Sequence, residues 1–151
     1  QIVVQSVDFL INLVLLFAFM IAVGVGSLST LWALPFCFLL VVVLCAGVGL
    51  WLSSLTVQYR DFRFIVPFLV QFGMFASPVG YGTYIVTGPW KWLYFLNPVA
   101  GIIDAFRWTL FGISEPFIVW SVALSGIVSV ALLVSGFVYF RRTERSFADR
   151  I

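Results

Sequence analysis

The sequence predicts an all-α integral membrane protein with about four transmembrane helices plus an outward-facing re-entrant or interfacial helix hairpin. Three observations lead there. Of 151 residues, 63% are hydrophobic and 9% charged, against about half and about a quarter in soluble domains. The apolar residues fall in runs close to the roughly 20 residues that a helix needs to cross a bilayer. Aromatic residues make up 19% of the chain, and many lie between Phe72 and Trp108, where charge interrupts the apolar pattern. The mean hydropathy of +1.16 agrees with lipid as the solvent, and one transmembrane domain uses up the chain.

The first crossing is expected at 9–26, with a possible extension back to Ile2 and with Asp8 and Asn12 near its start. A short polar break, GSLST, leads to the second at 31–52, where Pro35 sits in the first turn and its missing N–H costs little. After the charged segment TVQYRDFRF comes a third crossing at 65–86, bent by Pro67 and Pro78 and loosened by Gly73, Gly80 and Gly82. Backbone freed by proline has to be satisfied by protein or water, so this segment should face protein or a cavity. Residues 87–116 are apolar and aromatic but broken by Pro89, Pro98, Gly101, Gly112 and Pro116. They predict two short helices, 90–96 and 99–111, lying at the headgroup level that Trp and Tyr favour. The last crossing is expected at 117–140, with RRTERSFADRI as a tail over 141–151.

Arg60, Arg63, Arg141, Arg142, Arg145 and Arg150 lie in the 56–63 loop and the tail, against Lys91 and Arg107 in the long connection. The positive-inside rule then puts the loop and the C-terminus in the cytoplasm and the hairpin outside. A net charge of +2 without a basic stripe excludes a nucleic-acid partner of the usual kind. Histidine is absent, which removes the commonest general base and metal ligand together. No metal site and no catalytic residue is expected. Cys37 and Cys45, eight residues apart and so about 12 Å apart along a helix, are beyond disulfide reach and read as apolar packers.

The phosphate loop G-x-x-x-x-G-K-[ST] needs a lysine in that context, and the only lysine, Lys91, follows Pro89 and Trp90. The chain is therefore not expected to hydrolyse ATP. GVGSLS at Gly24 and GVGLWL at Gly47 read as close-packing sites. Ser121, Ser125 and Ser129 form one small stripe, open to a helix-packing reading or to a role in a hydrated pathway. Asp104 and Arg107, at i and i+3, are placed either to pair structurally or to act as a gate. Phe72, Phe75, Tyr81, Tyr84, Trp90, Trp92, Tyr94, Phe95, Phe106 and Trp108 read either as interface and packing or as flat platforms for the C–H faces of sugars.

Three stretches carry a resemblance. The loop YRDFRF with FxxPFLxQFGMFxSPVGY, then WKWLYFLNPVAGIIDAFRWTLFG, then YFRRTERSFADRI, resemble in order and spacing the permease of ABC-2-type polysaccharide exporters, which move O-antigen, capsule or teichoic-acid chains. Family permeases resemble six-crossing proteins, and this chain matches their last four, so it is expected to be a C-terminal part. The resemblance implies a bacterial inner membrane location and a homodimer with a second permease copy. It also implies a separate ATPase subunit that holds ATP and Mg, and a lipid-linked glycan passing between the permeases in contact with membrane lipid. It assigns Tyr59, Arg60, Asp61, Phe62 and Arg63 to a cytoplasmic loop and Pro98, Asp104 and Arg107 to a gate. Phe72, Phe75, Tyr81, Tyr84, Trp90, Trp92, Tyr94 and Trp108 are its candidates for the substrate path. The alternatives are an ABC-2 permease for a drug or lipid and a membrane-embedded glycosyl- or acyl-transferase; in the latter Asp8, Asp104 or Glu115 would be the acid or base.

Overall fold

The computed structural model describes residues 2–24, 28–80, 96–113 and 117–148. They form five α-helices and one 3₁₀ helix: α1 (Ile2–Val23), the 3₁₀ helix (Leu28–Ala33), α2 (Leu34–Gln58), α3 (Phe62–Ala76), α4 (Pro98–Phe111) and α5 (Ile118–Ala148). No strand occurs among the described residues, and the all-α expectation is met. Three spans there are long and apolar enough to cross a membrane: Val3–Val23, Ser29–Gln58 and Ile118–Glu144.

The helix bounds follow from local chemistry. Pro35 occupies the first turn of α2, where no N–H is needed. Ser54 and Thr56 return their hydroxyls to the carbonyls of Leu50 and Leu52, at 2.9 and 2.7 Å, so neither is left unbonded in an apolar setting. Gly24 adopts φ 72° and closes α1 with its N–H on Ile21 O at 3.2 Å. It serves as a helix stop in the left-handed region, not as the packing contact expected of GVGSLS. Gly47 does pack closely: a Cβ there would lie 2.7 Å from Leu133 N.

The second span, expected at 31–52, runs on as α2 to Gln58, and two further expected segments differ from the structure. The third was placed at 65–86, whereas α3 ends at Ala76, because Pro78 has no N–H to give the Met74 carbonyl and holds Ser77 extended at φ −111°, ψ 149°. At 15 residues, α3 is about 22 Å long, short of a hydrocarbon core of about 30 Å. The 141–151 tail is not a separate segment, since α5 continues to Ala148; Arg and Glu are good helix formers, and charge alone does not stop a helix.

The core is made by α2, α4 and α5, with Leu40, Leu44 and Ile102 buried against Val41, Phe106, Val122 and Leu132. Leu40 meets Gly126, Gly47 meets Leu133, and Trp51 meets Ser135, so α2 and α5 run parallel. Gly47 and Gly136 let their backbones touch, with a Cβ at Gly136 falling 2.9 Å from Gly47 O. Helix α4 packs into this core, burying Ala100, Gly101, Ile102, Asp104, Ala105, Thr109 and Leu110. A Cβ on Gly101 would meet Ser125 Oγ and lie 2.5 Å from Ser121 O. The serine stripe is thus a packing seam, with Ser121, Ser125 and Ser129 all fully buried.

Candidate functional site

Residues that the sequence separates by about twenty positions meet where α3 ends and α4 begins. The last carbonyls of a helix have no partner within it, and in an apolar setting they must find donors. Here α4 supplies them. Asn97 Nδ2 donates to Ala76 O at 3.1 Å and to Ser77 Oγ at 3.0 Å, and Arg107 Nη2 donates to Pro78 O at 2.5 Å. Asn97 also caps α4, its Oδ1 accepting from Val99 N at 3.0 Å with Pro98 in the first turn. A cationic side chain against carbonyls at a helix C-terminal end is favourable in its own right.

Asp104 Oδ1 stands 3.8 Å from Arg107 Nη1, and Asp104, Ser77 and Pro78 are buried. The three gate candidates therefore share one locus: Pro98 begins α4, Asp104 stands beside Arg107, and Arg107 grips the Ser77–Pro78 turn. Sequence reasoning missed Asn97 as the joining residue. The signal was present in an Asn-Pro pair able to start a helix and a Ser-Pro pair able to stop one, but the contact between them is tertiary.

Phe72 and Phe75 are exposed on α3, together with Phe64 and Phe68. At about 100° per residue these four and Gln71 share one face roughly 100° wide. Trp108 belongs to another place: it meets Trp32 edge-on, with ring centroids 6.3 Å apart. Tyr81, Tyr84, Trp90, Trp92 and Tyr94 lie outside the described residues, as do Glu115 and all but the last residue of the expected 90–96 helix.

The charged loop forms the turn between α2 and α3, with Tyr59 N on Leu55 O at 2.7 Å and Phe62 N on Tyr59 O at 3.1 Å. Tyr59, Arg60, Asp61 and Arg63 are exposed, and Phe62 is half-buried. Nearby, Trp51 stacks on Tyr139 at 4.7 Å, and Tyr139 Oη donates to Gln58 Oε1, tying the end of α2 to α5. Cys37 is buried and lies 3.5 Å from Thr109 Oγ1, while Cys45 is exposed. Among the described residues no group of three or more His, Cys, Asp or Glu could hold a metal ion.

The family described as ABC-2 type transporter matches residues 2–111, through the last residue of α4. A curated relative named O-antigen export system permease protein RfbA, from Klebsiella pneumoniae, is 23% identical over 152 residues, covering 99% of this chain and 57% of its own length. A second protein of the same name and organism is 23% identical over 108 residues, covering 71% of this chain and 42% of its own length. The chain thus spans about half the length of the curated relatives it matches.

Proposed function

The chain belongs to the ABC-2 type transporter family, and from that premise we propose that it is part of a permease that exports lipid-linked polysaccharide across the bacterial inner membrane, powered by a separate ATPase. The observation that carries the reading is the alignment of 99% of the chain with a relative named for O-antigen export. The exposed aromatic face of α3 supports it, because flat rings suit the C–H faces of sugars and Gln71 adds an amide beside them. In this reading ATP binding closes the partner's subunits and moves the helices of two permease copies. A hydrated path opens between the copies, a population shift driven by differential affinity. The Tyr59–Arg63 loop faces the cytoplasm and α4 acts as a gate.

The test is purification of the full-length protein from native membranes in mild detergent, with identification of every polypeptide recovered and assay of glycan export in cells lacking the gene. Recovery of an ATPase carrying a phosphate loop, with glycan retained inside the deletion cells, is expected. An associated ATPase with glycan export intact would move the cargo to a drug or lipid. Recovery without any ATPase, under conditions that keep other transporters assembled, would overturn the reading.

A further inference from the structure

We propose that Asn97 and Arg107 form a releasable clasp between α3 and α4, through which movement of the Tyr59–Arg63 turn reaches the buried helix α4. The inference rests on the reading of α4 as a gate. Three observations lead to it. First, among the described residues α3 buries none of its side chains, so what holds it there is chiefly at its two ends. One end is the turn from α2. The other is the set of bonds from Asn97 to Ala76 O and Ser77 Oγ and from Arg107 to Pro78 O.

Second, Asn97 uses both faces of one amide. Its oxygen caps the first turn of α4 while its nitrogen holds the last turn of α3, so neither helix end can shift without disturbing the other. Third, Ser77, Pro78 and Asp104 are buried behind these bonds, while Ala76 and its bond from Asn97 lie at the exposed edge. Opening would strip the Ala76 and Pro78 carbonyls of their donors, which is tolerable in a membrane only if water replaces them. The clasp therefore has two arrangements, closed with Ser77 and Pro78 shielded or open with water at both. Its opening is linked to entry of water at the level of α4, as the opening of a hydrated path requires.

Asn97→Asp separates the two functions of this side chain. A carboxylate still accepts from Val99 N and caps α4, but it has no N–H for Ala76 O and repels that carbonyl. The full-length protein, with Cys37→Ala and Cys45→Ala, carries Ser77→Cys as a reporter, since a water-borne maleimide reaches a buried thiol only when the clasp opens; the reporter gives up the Ser77 Oγ bond in every variant alike, so the contrast reads the bonds to Ala76 O and Pro78 O. Asn97→Asp is expected to speed labelling by about ten-fold or more, the factor matching one lost hydrogen bond, and to reduce glycan export. Arg107→Met is expected to act in the same direction while leaving the Asn97 cap intact, which guards against an effect of misfolding.

Unchanged labelling in both variants would overturn the clasp. Faster labelling with undiminished export would overturn its role in transmission while leaving the permease reading in place. If the protein without these substitutions moves no glycan, the permease reading fails, and the labelling contrast alone decides whether the clasp exists.

Discussion

At Gly101 the space for one methyl group sets the distance between two helices. A Cβ there would meet Ser125 Oγ and sit 2.5 Å from Ser121 O, closer than any ordinary contact, and the second of these atoms is backbone and cannot turn aside. Gly101→Ala should therefore lower the stability of the purified protein by about 1–3 kcal/mol, the usual cost of overpacking. Adding Ser125→Ala should restore only part of it, because the Ser121 carbonyl stays. The hydroxyls themselves behave differently. Among the described residues Ser121 Oγ and Ser125 Oγ are buried without a hydrogen-bond partner, whereas Ser129 Oγ donates to Ser125 O at 2.6 Å. Removing an unbonded buried hydroxyl relieves a desolvation cost, so Ser121→Ala should be neutral or stabilising by up to about 1 kcal/mol, and Ser129→Ala should cost about that much. Thermal melting in one detergent, read by tryptophan fluorescence, checks each; strong destabilisation by Ser121→Ala would give that hydroxyl a role the packing does not show.

Between elements, the parallel pair α2 and α5 is held by two glycines at its middle and by rings at its end. Gly47→Leu should force the helices apart, since a Cβ lands 2.7 Å from Leu133 N. Gly49→Leu, two residues on, meets open space within 4 Å. A loss of more than about 2 kcal/mol at Gly47 against a change within about 0.5 kcal/mol at Gly49 is expected from the same melting measurement. Equal effects would mean that the pairing of α2 with α5 is set elsewhere. The same elements show what the sequence makes legible. Pro35 and Pro98 mark the starts of α2 and α4, and Gly112, at φ 70° with its N–H on Trp108 O, marks the end of α4; these are local signals and could be read directly. The end of α3 was harder, because apolar composition runs on past Pro78 while the hydrogen-bond ladder does not. The burial of α4 was harder still. Hydrophobicity and rings look alike at a lipid interface and inside a protein, and the close fit of Gly101 on α4 against Ser121 and Ser125 of α5 distinguishes the two. The grouping of Pro98, Asp104 and Arg107 was legible as a motif; the closing of that group on the Ser77–Pro78 turn by Asn97 required the fold.

For the molecule as a whole, the parallel course of α2 and α5 turns a count of charges into a geometric statement. Because the helices run parallel and the end of α2 meets α5 at Tyr139, Arg60 and Arg63 after α2 and Arg141 and Arg142 just beyond Tyr139 are exposed at one end of the bundle. The opposite end carries Trp32, Trp108 and Trp120. Trp120 and Tyr139 are 19 positions apart on α5, about 28 Å along a helix, which matches the thickness of the hydrocarbon core and sets a ring near each interface. Between these levels α1, α3 and the outer side of α5 expose Val, Leu, Ile and Phe, a surface that would be unfavourable in water and is suited to lipid. On the proposed reading the end that carries the four arginines faces the cytoplasm, as the positive-inside rule expects. In a background with Cys37→Ala and Cys45→Ala, Arg142→Cys should react with an impermeant maleimide only after the cells are opened. Ile113→Cys, at the exposed turn between α4 and α5, should react in intact spheroplasts. The reverse pattern would invert the bundle, put the Tyr59–Arg63 turn on the outer face, and remove the surface on which a cytoplasmic ATPase could act.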